Sequence, residues 1–162
     1  MAVRQYMKSR RFPGKSAFIC PMETIMADAR CTLPERHSTL RLVPMPADLN
    51  QNGDVFGGWV MAQVDVAGAI PAMRRARGRV ATVSVNSFLF KQRISVGDIV
   101  SLYAEIVKVG RTSITVKVEV YAERNYADPI IVKVTEAELT YVAIDANGNK
   151  RQVPAETGGE ME

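Results

Sequence analysis

Histidine, cysteine and long apolar runs are what this 162-residue sequence has least of: one His, two Cys, and no stretch near the roughly 18 to 20 apolar residues that a membrane span needs. Each shortage excludes something. With His37 alone, no site built on several histidines can hold zinc, and a Ser-His-Asp or Cys-His mechanism would depend on one residue at a strand start. A surface or edge position accounts for it better. Cys20 and Cys31 lack CxxC spacing and companion ligands, so they read as free thiols of a reducing compartment, with no metal expected. Without a long apolar run an integral membrane protein is excluded, and a soluble cytoplasmic protein is expected. At 47% hydrophobic and 23% charged residues the chain has globular composition, enough for one domain with a real core.

The excess of positive charge is also confined. Residues 1–36 carry seven Lys/Arg against three acids, the whole of the net +4, which leaves 14 of each sign in the remainder. A body without net charge offers no general basic face for a phosphate backbone, so no nucleic-acid partner is expected. Residues 1–36 also show no sustained period and include Pro13, Gly14, Pro21 and Pro34. They read as a flexible basic extension ahead of a domain over 37–155, with a short C-terminal tail over 156–162. The apolar run Ala17 to Met22 falls short of a signal-peptide core. An organellar transit peptide, or a true start at Met22 or Met26, are the alternatives.

Regular pattern begins beyond His37. Leu40 and Leu42 alternate with polar neighbours as a short strand ended by Pro44 and Pro46. The turn-rich loop Asp48 to Asp54 follows, and Gly57-Gly58 then opens an apolar segment, Trp59 to Met73, with Val60, Val64 and Ala67 near helical spacing. Being apolar nearly all round, this helix should be buried on most sides, and Pro71 should kink or end it. The rest alternates with period two: Val80 to Phe90, Ile99 to Val109, Arg111 to Tyr121 and Ile130 to Ile144. The spacing predicts an α+β fold, a mainly antiparallel sheet wrapped around one long helix.

Within that layout one residue is out of keeping. Asp65 places a carboxylate in an apolar helix, where it must be hydrogen-bonded, paired or used. Gly57-Gly58 fits a tight turn into the helix, and equally a helix N-terminus whose free N–H groups face a developing oxyanion. Gly58 and Asp65 share a helix face but stand about 10.5 Å apart along the axis at 1.5 Å per residue. One reacting carbonyl cannot touch both. If both serve one reaction, the second must come from another copy of the helix in a two-fold dimer.

These residues carry a resemblance. Met45 to Asp65 (MPADLNQNGDVFGGWVMAQVD), followed by Gly78 to Val85 (GRVATVSV), Val96 to Val100 (VGDIV) and Lys108 to Ser113 (KVGRTS), is similar to the hot-dog acyl-CoA thioesterases, in particular the YciA-like branch, over roughly residues 38 to 155. The resemblance implies hydrolysis of acyl-CoA to free CoA and a carboxylic acid in fatty acid metabolism. It implies no cofactor, since CoA is part of substrate and product, and a homodimer assembled further into a hexamer as a trimer of dimers. Asp65 falls on the family's catalytic acid, Asn50 on its active-site loop Asn, and Gly57 and Gly58 on its oxyanion glycines. The substrate-binding candidates are the strand Thr82, Val83, Ser84, Val85 along the pantetheine, and Arg79, Lys108, Arg111, Thr112 and Ser113 toward the CoA phosphates. Asp65 would act as general base, or as nucleophile through an anhydride. Phe56, Trp59, Met61 and Phe88 are candidates to line an acyl pocket. Arg74, Arg75, Arg77 and Arg79 are expected to complement the helix C-terminus, with a CoA phosphate as the alternative for Arg79. Two features depart from the family: residues before Arg36 match nothing in it, and Gln92-Arg93 replace its usual Lys-Pro. The rival reading is a non-catalytic hot-dog module that binds acyl-CoA as a sensor.

Overall fold

A computed structural model describes residues 31–155. Five alternating segments extend as β1 (Leu40–Leu42), β2 (Val80–Phe90), β3 (Ile99–Val109), β4 (Ser113–Arg124) and β5 (Ile130–Ala143), and the apolar segment coils as α1 (Gly57–Ala76). The strands form one antiparallel sheet in the order β1-β3-β4-β5-β2. The helix lies across its concave side, the hot-dog arrangement. β4 shows why the layers adhere: Ile114, Val116, Val118 and Val120 are fully buried toward the helix, where they meet Val60, Val64, Ala67 and Ala72. Each such side chain removed from water stabilises the fold by about 1.5 to 3 kcal/mol before entropy is charged against it.

Two features of α1 differ from expectation. It does not end at Pro71 but runs on to Ala76, closing with Arg77 in the left-handed region (φ 49°) and a Gly78 N–H to Met73 C=O bond of 3.1 Å. Burial is also confined to one face. Val60, Val64, Ala67, Gly68, Ala72 and Ala76 are buried, whereas Met61, Val66 and Met73 are 43–50% exposed. The described residues offer the helix one sheet, which leaves its second apolar side uncovered by them. β2 shares this openness. It is the sheet edge, its Val83, Val85, Leu89 and Phe90 are 46–60% exposed, and its register slips between Thr82 and Ser84 and between Val85 and Ser87.

On the far face of the sheet, residues ahead of β1 are held in place. The Cys31 N–H donates to the Ile131 carbonyl at 3.1 Å, and the Arg36 guanidinium reaches Glu105 at 2.7 Å and Glu119 at 3.4 Å. Of the range read as an extension, only 31–36 fall among the described residues; Cys20, Met22, Met26 and the tail over 156–162 lie outside them. His37 is exposed. No described helix is long and apolar enough to cross a membrane.

Candidate active site

The loop before the helix is built around Asn50. Its Oδ1 accepts the N–H groups of Asn52 at 2.8 Å and Asp54 at 3.3 Å, while its own N–H donates to the Asp54 carbonyl at 2.8 Å. Gly53, with φ +83°, supplies the left-handed turn, and a Leu49–Val55 bridge closes the loop. The Asn50 Nδ2 has no acceptor among the described residues and remains a free donor. Chain direction then changes at Phe56, whose N–H is held by the Asp48 carbonyl at 2.9 Å and whose side chain gives the helix no cap. The first intrahelical bond runs from the Val60 N–H to the Phe56 carbonyl at 3.2 Å. The N–H groups of Gly57, Gly58 and Trp59 therefore precede any acceptor in the helix, at its positive end. Gly58 is exposed, with no atom within 4 Å of where a Cβ would stand; at Gly57 a Cβ would come 3.3 Å from the Phe90 ring.

Asp65 is half-buried and hydrogen-bonded. Thr82, at the start of β2, donates its hydroxyl to Asp65 Oδ1 at 2.7 Å. Tyr141 of β5, Thr82's cross-strand neighbour, aims its hydroxyl at the same carboxylate, 3.3 Å from Oδ1 and 3.0 Å from the Asp65 carbonyl. Burial pushes the Tyr141 phenol well above its usual range, and the negative Asp65 beside it pushes it further, so it stays a donor. Thr82 thus bonds Oδ1, and the single Tyr141 proton is shared between Oδ1 and the Asp65 carbonyl. Oδ2 has no partner among the described residues.

Beside Gly57 opens a cleft of about 320 Å³ walled by Val55, Val60, Phe90, Ile94 and Val134, with Lys91, Gln92 and Arg93 at its rim. None of the four side chains named as acyl-pocket candidates lines it. Phe56 and Met61 point to solvent at 53% and 43% exposure, while Trp59 and Phe88 pack against the core.

The remaining candidates gather at the opposite end of the sheet. Ala81 and Ser113 both register on Val142 of β5, so the start of β2 and the turn into β4 lie two strand spacings apart, about 10 Å. In that turn the Gly110 N–H bonds the Ser113 carbonyl, and the Thr112 and Arg111 carbonyls accept the N–H groups of Ala143 and Val153. Lys108 and Arg111 are exposed. The Arg79 guanidinium is turned to the Ala146 carbonyl at 3.1 Å, Ser84 donates to Asn86, and Val83 and Val85 face solvent. Arg74 and Arg75 lie in the last turn of the helix, and Arg151 also reaches its C-terminus, at 2.7 Å from the Ala76 carbonyl, while Arg75 bonds the Pro154 carbonyl as well. Arg151 and Tyr141 escape sequence reasoning because each acts about 75 residues from its partner, and Tyr141 sits at a position that period-two alternation marks as plain core.

The profile of the thioesterase superfamily matches residues 52–127. A protein of Haemophilus influenzae named as an acyl-CoA thioester hydrolase is 50% identical over 125 residues, 76% of this chain and 81% of the relative. The Escherichia coli (strain K12) acyl-CoA thioester hydrolase YciA is 44% identical over 126 residues, 76% and 96% of the two chains. Among solved structures, a hexameric thioesterase from Yersinia pestis superposes with a TM-score of 0.71 at 44% identity, over 76% of this chain and all of that one. With its helix laid across an antiparallel sheet and such identity over three quarters of its length, the chain belongs to the thioesterase superfamily, among the hot-dog acyl-CoA thioester hydrolases.

Proposed function

We propose that the chain hydrolyses acyl-CoA thioesters at a site shared between two copies of itself. One observation carries the reading: the Asp65 carboxylate is held on an uncovered helix face, yet stands about 10.5 Å along the axis from its own helix's free N–H groups. A second helix running antiparallel brings the N–H groups of one copy to the carboxylate of the other. The exposed Met61, Val66 and Met73, and the apolar edge of β2, give the pair a surface to bury. Relatives named as acyl-CoA thioester hydrolases, and a hexameric neighbour, support the activity and a higher assembly of such dimers.

In this site the thioester oxygen sits on the Gly58 N–H, with Gly57 and the helix dipole behind it, and Asn50 Nδ2 orients the carbonyl or the water. Asp65 takes a proton from water as the water oxygen bonds to the carbonyl carbon. The oxyanion then collapses, the C–S bond breaks, and the CoA sulfur recovers the proton from Asp65. The acyl group enters the cleft beside Gly57. The pantetheine lies along Thr82 to Val85, and Arg79, Lys108, Arg111, Thr112 and Ser113 face the CoA phosphates. The test is thiol release from an acyl-CoA panel of varied chain length. Asp65→Asn is expected to lower turnover about 10² to 10⁴ with fold and assembly intact. Near-normal turnover in that variant would overturn the role of Asp65, and binding of acyl-CoA with no thiol released by the unmodified protein would favour the sensor.

A further inference from the structure

The carboxylate at Asp65 is not simply exposed on its helix; it is held by a device that reaches across the sheet. Tyr141 is fully buried and 76 residues away in sequence, and its hydroxyl arrives between the Asp65 carbonyl and Oδ1. It gets there because residue 68 has no side chain. A Cβ on Gly68 would stand 2.4 Å from the Tyr141 hydroxyl oxygen and 3.2 Å from its ring carbon, contacts that cannot be accommodated without movement. A glycine in a helix interior costs about 0.5 to 1 kcal/mol relative to alanine, so its presence here needs a reason, and the hydroxyl supplies one. The ring alone would fill the core as phenylalanine; among the described residues the hydroxyl has no other acceptor than Asp65.

We infer that Tyr141, admitted by Gly68, is a positioning residue for the reaction: together with Thr82 it saturates Oδ1 of Asp65 and leaves Oδ2 as the oxygen that takes the proton from water. This rests on the reading of Asp65 as the base. From β2 the group facing Asp65 is Thr82, from β5 it is Tyr141, and no other charged or titratable described side chain bonds or pairs with it. Tyr141 is not a catalytic residue in this scheme, since it touches the base and not the substrate.

The experiment is the split between kcat and KM for Tyr141→Phe, a change that keeps the ring in the core and removes one oxygen. Without the bond Oδ2 is no longer fixed toward the water, so kcat should fall about tenfold, the size of one lost hydrogen bond to a charged group, with KM little altered. An unchanged kcat would overturn the inference, whatever happens to stability. Gly68→Ala provides the second arm. It should show the same loss of kcat, because the new methyl pushes the hydroxyl off, and its thermal stability should be partly restored by adding Tyr141→Phe, which removes the colliding atom. Absence of that rescue would show that Gly68 is small for some other reason and overturn the pairing. If Asp65→Asn kept full turnover the base itself would be misassigned; if it were inactive while Tyr141→Phe kept its kcat, only this inference would fail.

Discussion

At the scale of single residues, Asn50 offers the sharpest separation of structure from chemistry. Its Oδ1 holds the loop through two N–H groups, and its Nδ2 is left for the substrate side. Asn50→Asp keeps the acceptor and deletes the donor, so the melting temperature should stay close to that of the unmodified protein while kcat falls about tenfold or more, a loss comparable to one hydrogen bond to a developing charge. Asn50→Ala should lower both, by calorimetry and by thiol release. Gly58→Pro is the matching change at the helix end. It removes an N–H that has no intrahelical acceptor, at a position in the first turn where proline is tolerated, and should cut turnover with little cost to folding. Phe90 is the residue to alter for specificity: its ring lies against Gly57 and walls the cleft, so Phe90→Ala should move the kcat/KM optimum toward bulkier acyl groups. How much of this was legible in sequence differs from residue to residue. Asp65 stood out because a carboxylate in an apolar helix violates burial rules. Thr82 is read from sequence as part of the strand along the pantetheine, and nothing in that reading shows that its hydroxyl also holds the carboxylate. Tyr141 left no local trace, since a core position that also bonds a residue of another element looks like any other core position.

At the scale of elements, the sequence pattern gave β2 and β3 with their bounds unchanged, because each is a long alternating run stopped by glycine, basic or turn residues. β4 was placed two residues early and ended three early. The Gly110–Ser113 turn takes up Arg111 and Thr112, and a bulge between Val120 and Tyr121 breaks the alternation, burying Tyr121 and Ala122 together. β2 shows no alternating burial at all, as an uncovered edge strand need not. The far face of the sheet carries its own small electrostatic element. Lys133 donates to Glu119 at 2.6 Å and Glu136 at 2.5 Å; burial lowers its pKa, yet these bonds outweigh it and hold the ammonium above its ordinary range. In turn Lys133 holds Glu136 below the usual carboxylate range. A carboxyl group depressed in the folded state stabilises the fold above its ordinary pKa and loses that contribution as pH falls through the folded value. Lys133→Met should therefore flatten the fall in stability below about pH 4.5, near the ordinary glutamate range, as measured by urea unfolding across pH. Glu136 is more than a third exposed, so solvent and salt keep the effect small.

At the scale of the whole molecule, the proposal of a site shared between two copies can be tested by complementation in a tube. Mixed dimers of Asp65→Asn with Gly58→Pro contain one site with both defects and one with neither, and should recover up to half the activity of the unmodified dimer, although each variant alone is inactive. Verified mixed dimers without activity would place the site in one chain. The extension can be tested by shortening. Removing residues 1–30 should leave fold and thiol release intact, because every described element and candidate site residue lies beyond them, and should bring the pI down. Cutting past Arg36 should cost a further ~0.5 kcal/mol or so for the bridge to Glu105 and Glu119, typical of an exposed pair, read as a small drop in melting temperature. A loss of assembly at the first cut would show that the extension is structural. The uncovered edge of β2 carries a consequence of a different kind. A strand of eleven residues with its valines, Leu89 and Phe90 exposed, and a row of peptide groups open to pairing, makes the lone subunit a template for any strand that meets it. Stability then obeys mass action: the melting temperature should climb with protein concentration, and at high dilution specific activity should fade as monomer accumulates. A variant that pairs poorly should therefore aggregate at concentrations where the unmodified protein stays assembled and clear, as light scattering would record.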